Sequence, residues 1–540
     1  IIGAGPSGLS CAYFLALQGF DVEIFEGKAF AGGWASDAIP TFRLDDDSIQ
    51  KDIDAILSLG VTIHYNSAID QARFESLTKE FDYIYVAIGA QEGVRLGVPG
   101  EDAEGVMDNL DFLSAVRRGE TIDLGKKVVI IGGGNSAMDA ARTAKRLVGE
   151  GGEVNLIYRR TREEMPAALE EVQGMLDEEV NLIELTAPEC MLVSDGKVTS
   201  NRCFQMKLGE KDDSGRPRPI RIEGSEFDLE ADSVISAIGQ RVNADFFPEG
   251  KLEIDPISHE TQIKNVFAGG DATRGASTLI NAIGDGKNVA ESITKRAIEE
   301  SKIEEGLFAK SVDPEELRTA KGRRQSGTLT PEIGFDERSG FKMVINTLDE
   351  ATAQAEAARC LQCDEICSVC VSVCPNRANM EFQIKPVSFK IQQAVQGIDG
   401  AHITDLETGK ITQKYQILNL GDCCNECGNC ATFCPTSGAP YQDKPKFHLT
   451  SESFKSADYG YYFSAENRLE YKKDQKHAVL ETDDSGFIFE NETFKAVLNK
   501  DYSAQQVEIK NGAQQVVSLL DAVHMAILSE ATRELAPFKL

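Results

Sequence analysis

A chain that opens Ile1-Ile2-Gly3-Ala4-Gly5-Pro6-Ser7-Gly8 and runs straight into the apolar-periodic segment Leu9 to Leu17 has little choice of local structure. It reads as the end of a strand, a glycine turn, and a helix that stops near Gly19. The next run, Asp21 to Phe25, alternates like a strand and ends on Glu26, 18 residues after Gly8. Glycines at 3, 5 and 8 let the backbone close tightly and approach a pyrophosphate at a helix N-terminus, and Glu26 offers acceptors to ribose hydroxyls. A lone Gly-x-Gly-x-x-Gly is equally a plain turn. With the flanking strands and the acid in place, a dinucleotide is the expected ligand.

The pattern recurs. Lys126 to Ile131 reads as a full strand, Gly132-Gly133-Gly134-Asn135 opens a helix through Arg146, and a second strand runs from Val154 to Tyr158. Gly132, Gly134 and Asn135 are the expected phosphate-facing residues of this unit. Its strand ends on Tyr158-Arg159-Arg160-Thr161-Arg162, where the first unit has Glu26. Guanidinium groups at Arg159 and Arg160 suit a 2′-phosphate and offer no acceptor to a ribose diol, which favours NADPH over NADH; a solvated turn is the alternative. The first motif has only Ile1-Ile2 before it and no Met stands at position 1, so a longer parent chain is expected.

At 540 residues the chain exceeds what one hydrophobic core supports. The 56 basic and 87 acidic residues leave a formal charge of −31, which repels phosphate backbones and anionic lipid, so nucleic acid and membrane are not expected partners. No stretch approaches the roughly 20 apolar residues of a membrane-spanning helix.

Ten of the 13 cysteines fall in two windows, Cys360 to Cys374 and Cys423 to Cys434. A chain this large needs no disulfide staples, so closely spaced cysteines indicate metal in a reducing compartment, and the cytoplasm follows. Cys424-x2-Cys427-x2-Cys430-x3-Cys434-Pro435 has the spacing of a [4Fe-4S] ferredoxin run, in which the fourth cysteine reaches a neighbouring cluster. Zinc is the alternative, but zinc sites usually pair two separate Cys-x2-Cys arms. The earlier window, Cys360-x2-Cys363-x3-Cys367-x2-Cys370-x3-Cys374-Pro375, is one residue wider and has one cysteine too many. The simplest assignment crosses the fourth ligands: Cys363, Cys367, Cys370 and Cys434 hold one cluster, and Cys424, Cys427, Cys430 and Cys374 the other. Cys360 is then spare or replaces Cys363, and Cys423 is a bystander.

Further motifs carry a family likeness. Gly32-Gly33 and Ile39-Pro40-Thr41-Phe42-Arg43-Leu44 follow Glu26; Tyr85 to Ala90 and Ser236 to Gln240 read as strand-to-turn crossings between domains; Val266 to Ala272 contains Gly269-Gly270-Asp271 and is followed by Asn281-Ala282-Ile283-Gly284. With the two glycine turns, these resemble the two-dinucleotide flavoprotein fold shared by the glutamate synthase small subunit and the flavin half of dihydropyrimidine dehydrogenase. The resemblance covers Ile1 to about Arg296. It implies an FAD site in the first unit, at Gly3, Gly5, Gly8, Glu26, Gly33, Arg43, Gly89, Gly270, Asp271 and Ala282, with Asp271 hydrogen-bonded to the ribityl chain. The stretch Glu350 to Cys363 resembles the helical entry to the clusters of the same group. With both cysteine windows, nearly the whole chain resembles the C-terminal half of YgfK-type selenate reductase subunits.

The expected fold class is therefore α/β. Two Rossmann-like domains, one inserted in the other, precede an α+β ferredoxin-like domain with two [4Fe-4S] clusters and a small α/β C-terminal region. The expected bounds are 1–105 with 240–300 for FAD, 106–239 for NAD(P)H, 301–348 as a solvated connector, 349–440 for the clusters, and 441–540 as a cap whose core takes Tyr459, Tyr461, Tyr462 and Phe463. Thioredoxin reductases share the two-domain plan but carry a redox Cys-x2-Cys, whereas Cys11, Cys190 and Cys203 are unpaired in sequence. The expected function is electron input from NAD(P)H through FAD to the clusters. From there electrons pass to an accepting subunit or an upstream domain of the same polypeptide, within a complex. The competing reading is an electron-carrier or scaffold protein that does not itself oxidise NAD(P)H.

Overall fold

The computed structural model describes residues 1–211, 216–299, 315, 319, 326–360, 367–397, 400–434, 438–473, 476–510 and 516–538. The chain divides into two compact units: Ile1–Phe308 with Leu329–Leu348, and Ala309–Thr328 with Asp349–Leu540.

The first unit contains two parallel sheets. In the outer one, Thr62–His64 pairs with Glu23–Phe25, Ile2 bridges Phe25 to Val86, and Ile84–Val86 pairs with Val266–Ala268. The sequence returns to this sheet after a long excursion because Val266, Phe267 and Ala268 are fully apolar and complete its buried edge. The helix Pro6–Leu17 starts directly after the first glycine turn and packs along Leu279–Glu299. Small residues permit that approach: a Cβ on Gly286 would stand 2.2 Å from the Ser7 carbonyl oxygen.

The excursion is the inserted module. Its five parallel strands run in the order Val106–Asp108, Ser233–Ser236, Lys127–Ile131, Glu153–Ile157, Asn181–Ile183. Val128 to Ile131 is a continuous apolar run because helices or strands cover both faces of a parallel sheet. The two expected crossings meet as an antiparallel ribbon, Glu92–Gly93 against Gln240–Arg241. Between Ile183 and Ser233 lies a four-stranded antiparallel sheet, Thr186–Ser194, Lys197–Lys211, Pro217–Arg221 and Phe227–Glu230, that the sequence reading left unassigned.

The solvated-connector expectation for 301–348 needs correction over its last third. Ile333 and Val344 are buried, Val344 N–H donates to the Phe42 carbonyl, and Phe341 packs on Phe42. Apolar residues at 333, 341 and 344 give this stretch a face to bury. The basic group Arg318, Lys321, Arg323 and Arg324 lies outside the described residues.

In the second unit one nine-stranded sheet crosses the expected boundary at residue 440. Its order is Asn379–Gln383, Tyr415–Leu420, Lys446–Phe447, Tyr459–Ala465, Arg468–Lys473, Lys476–Thr482, Phe487–Asn491, Phe494–Leu498, Ala504–Ile509. The C-terminal region is thus not a separate small α/β cap. A single apolar core runs from Phe382 and Phe389 through Phe447 and Phe463 to the helix Leu520–Thr532, because alternating residues of successive hairpins all face it. Phe463 is buried and Tyr461 packs against it, while Tyr459 and Tyr462 are half-buried. A long hairpin, Val387–Gly397 with Gly400–Ile411, is inserted between the cysteine windows and pairs with Val516–Ser518.

Candidate functional site

A cavity of about 1580 Å³ in the first unit is lined by both glycine turns. Every residue expected at a dinucleotide lines it except Gly8. Gly8 lies beneath the turn, where a Cβ would sit 2.0 Å from the Gly3 carbonyl oxygen. Gly3 adopts φ +103° and a Cβ there would meet the Ala87 oxygen at 2.5 Å. Gly5 differs: its nearest neighbour for an added Cβ is Gly33 Cα at 3.9 Å. Its bareness is not needed by protein packing and leaves room on the cavity side. The second turn repeats the division: a Cβ on Gly132 would stand 2.3 Å from the Ala237 oxygen, whereas one on Gly134 would meet nothing within 4 Å. Each turn delivers the exposed amides of a helix start, Pro6–Leu17 or Asn135–Val148, to the cavity.

Glu26 accepts the backbone N–H of Ala4 at 2.8 Å and of Lys28 at 2.7 Å, which fixes its carboxylate at the cavity wall with lone pairs to spare. Gly33, at φ +53°, packs against Gly5, and Gly89 and Ala282 close the same wall. Asp271 follows Gly270, whose N–H is held by the buried carboxylate of Asp285 at 2.9 Å. Burial pushes the Asp271 carboxyl above its usual range, and its Oδ1 is buried with no hydrogen-bond partner among the described residues. A buried acceptor of that kind is costly unless a donor from a ligand meets it. Asp285 was missed by sequence reasoning; its signal is an acid between Gly284 and Gly286 on an otherwise apolar helix face.

Two expected ligand residues have protein partners instead. The Arg43 guanidinium binds Asp139 at 2.8 Å and Glu171 at 2.7 Å, and the Asn135 side chain accepts the Ala168 N–H at 2.9 Å. Arg43 therefore ties the loop after Glu26 to the inserted module. The network extends through Arg142, which binds Glu171 at 2.8 Å and Glu178 at 2.9 Å, to Arg146 on Glu178. Both arginines lie over the buried Phe42 ring, Arg146 at 3.8 Å and Arg142 at 5.0 Å from its centroid. Burial raises the Asp139 carboxyl despite the attraction of Arg43.

The strand ends align by hydrogen bonds. Gly3 N–H donates to the Phe25 carbonyl and Gly132 N–H to that of Ile157, so the register partner of Glu26 is Tyr158. Arg159 and Arg160 stand one and two residues beyond, which corrects their expected position. The Tyr158 ring lies over Gly133 and its hydroxyl donates to the Glu164 carbonyl at 3.0 Å. Arg159 is exposed; Arg160 is 3% exposed and its Nε donates to the Pro217 carbonyl at 2.7 Å. No described cysteine lines the cavity. Cys11 and Cys203 are buried thiols pushed up to about 12 by that burial, too high for a redox thiolate.

In the second unit, Cys370 and Cys430 are buried together with Ile417 in a small cluster. Burial pushes the Cys370 thiol up to about 12. The two Cys-Pro cysteines receive matching amides, Ala378 N–H to Cys374 Sγ at 3.2 Å and Gly438 N–H to Cys434 Sγ at 3.3 Å, each from four residues on. Cys360 and Cys427 are exposed, and Cys367, Cys423 and Cys424 are half-buried. Cys363 lies outside the described residues, and among the described residues no three metal-ligating side chains are grouped as a site. No described helix is long and apolar enough to cross a membrane.

Residues 1–286 match the family model of pyridine nucleotide-disulphide oxidoreductases. The chain is 34% identical over 493 residues to YgfK of Escherichia coli (strain K12), covering 90% of this chain and 43% of that protein. It is 39% identical over 385 residues to the NADP(+)-dependent formate dehydrogenase subunit beta of Moorella thermoacetica, covering 67% of this chain and 54% of that one. A Cereibacter sphaeroides protein named for the glutamate synthase [NADPH] small chain is 34% identical, over 54% of this chain and 75% of its own length. The chain thus spans less than half of YgfK. The likeness to YgfK and to the glutamate synthase small chain expected from the motifs is present.

Proposed function

The chain belongs to the pyridine nucleotide-disulphide oxidoreductase family, and on that premise we propose that it is an electron-input subunit. It oxidises NADPH through bound FAD and delivers electrons through two [4Fe-4S] clusters to an accepting subunit or to a domain upstream in its own polypeptide. The observation that carries this reading is a single cavity lined by both glycine turns, with the unpartnered Asp271 Oδ1 at its wall.

When bound, the nicotinamide and flavin supply hydride transfer, and the clusters supply single-electron steps. The chain's own residues do the holding. Gly5 and Gly134 leave room where the helix-start amides of Pro6–Leu17 and Asn135–Val148 face a pyrophosphate. Glu26 accepts from the hydroxyls of one ribose, and Asp271 Oδ1 accepts from a hydroxyl of the flavin side chain. Tyr158, at the register of Glu26, offers no carboxylate to the other ribose, in keeping with a 2′-phosphorylated nucleotide. The crossed sets Cys363, Cys367, Cys370 with Cys434, and Cys424, Cys427, Cys430 with Cys374, provide eight thiolates. The matching amides on Cys374 and Cys434 would stabilise sulfur charge.

The names of the relatives support NADPH and a place in a multi-subunit enzyme. Among the described residues no cysteine lines the cavity, which supports electron exit by another route than a dithiol. Anaerobic purification with metal and flavin analysis tests the assignment: about eight irons and one FAD per chain are expected, with NADPH-dependent reduction of a dye. Iron near four, zinc in its place, or a flavin that NADPH does not reduce overturns it.

A further inference from the structure

We propose that the 2′-phosphate of NADPH is clamped by Arg159 together with Arg216, and that Arg160 positions the hairpin that carries Arg216. The inference rests on the NADPH reading above and replaces the adjacent pair suggested by the sequence. Arg216 lies 56 residues beyond Arg160, at the start of the strand Pro217–Arg221, yet it lines the same cavity as Arg159. What brings it there is Arg160. That side chain is 3% exposed and its Nε donates to the carbonyl of Pro217, the residue next to Arg216.

The hairpin is anchored at its other end as well. Leu185 N–H donates to the Arg160 carbonyl and Thr186 N–H to that of Tyr158, so the strand Thr186–Ser194 leaves the parallel sheet at the point where the arginines stand. Lys197–Lys211 pairs with both Thr186–Ser194 and Pro217–Arg221. Thr186 and Pro188 line the cavity beside the arginines. Nearby acids are occupied within the turn: Glu164 and Glu163 accept from Thr161, and Glu184 from the Arg162 N–H.

Arg160 is buried and its Nε is fixed on the Pro217 carbonyl, which suits it to holding the hairpin, whereas Arg159 and Arg216, from separate segments, can grip a phosphate from two sides. The test uses the full chain with NADPH or NADH as donor to a dye, and 2′,5′-ADP and 5′-AMP as inhibitors. Arg159→Ala and Arg216→Ala are each expected to raise the KM for NADPH and the inhibition constant of 2′,5′-ADP about tenfold or more, leaving NADH and 5′-AMP unchanged. Arg160→Met is expected to weaken both nucleotides and lower the melting temperature, the mark of a positioning residue. If Arg216→Ala behaves as wild type while Arg159→Ala loses NADPH, the clamp does not include Arg216 and the inference fails alone. If the wild-type chain binds 5′-AMP as well as 2′,5′-ADP, the NADPH reading fails and takes the clamp with it.

Discussion

Replacing Glu178 by Gln puts the ion network between the two nucleotide-binding modules to a quantitative test. The Glu178 carboxylate is 5% exposed and pairs with two guanidinium groups, Arg142 at 6% and Arg146 at 2% exposure. Breaking a buried pair from one side costs about 3–5 kcal/mol, because the stranded charge keeps its desolvation penalty. Gln keeps the shape and one acceptor, so the lower end, about 3 kcal/mol, is expected. At about 2–4 °C per kcal/mol this amounts to a drop of roughly 6–12 °C in the calorimetric transition of the first unit. The pH dependence has a definite sign. Burial pushes the Glu178 carboxyl up, but hydrogen bonds from Arg146 and Arg142 outweigh it and hold the group below its ordinary range. Its stabilisation is then present above the unfolded value of about 4.3 and is lost as pH falls through the lower folded value. The gap between wild type and variant should be full at pH 7 and close below about pH 4. Asp139 provides the contrast, since burial raises its carboxyl and its ionised form is penalised at neutral pH. Asp139→Asn should therefore cost less at pH 7 than Glu178→Gln. A shift below about 2 °C for Glu178→Gln, or equal losses in both variants, would refute the reasoning.

Gly5→Ala should leave the melting temperature within about 1 °C and strip FAD from the purified chain, whereas Gly3→Ala should destabilise by about 2 kcal/mol or more, since only Gly3 combines a positive φ with a backbone clash; equal melting losses would show that Gly5 is a packing glycine. Asp271→Leu should lower bound flavin per chain at least about tenfold while Asp271→Asn retains part of it, because Asn still presents an acceptor; full flavin in Asp271→Leu would remove Asp271 from the site. Cys427→Ser, read by electron paramagnetic resonance of the anaerobically reduced protein, should remove one cluster signal while NADPH still reduces the flavin, because the expected flavin residues and Cys427 belong to different compact units; loss of flavin reduction would show that the two are not separable.

The glycine turns were legible because their constraint is local. Gly3, Gly8 and Gly132 answer to backbone atoms a few residues away or on the adjoining strand, and the strand, turn and helix around them follow from apolar periodicity alone. The spacing of the cysteines is local in the same way. The return of the chain at Val266 to complete the outer sheet was legible only through family likeness, since no periodicity says which sheet a short apolar strand joins. Several features were not legible at all. Tyr158, rather than Arg159, shares the register of Glu26, because one residue more or less before a strand end leaves no mark in composition. The partners of Arg43 are acids on helices of another module, and the sheet that brings Arg216 to the cavity lined by Arg159 is built from hairpins whose pairing is set by side-chain packing. Likewise the boundary expected at residue 440 vanished because one sheet and one core run through it. The sequence by itself determined the local geometry of the phosphate turns and the supply of thiolates. Tertiary structure alone decided which charges face the cavity and which are consumed in holding its walls together, because ion pairing and burial depend on distances between residues that the chain separates by tens of positions.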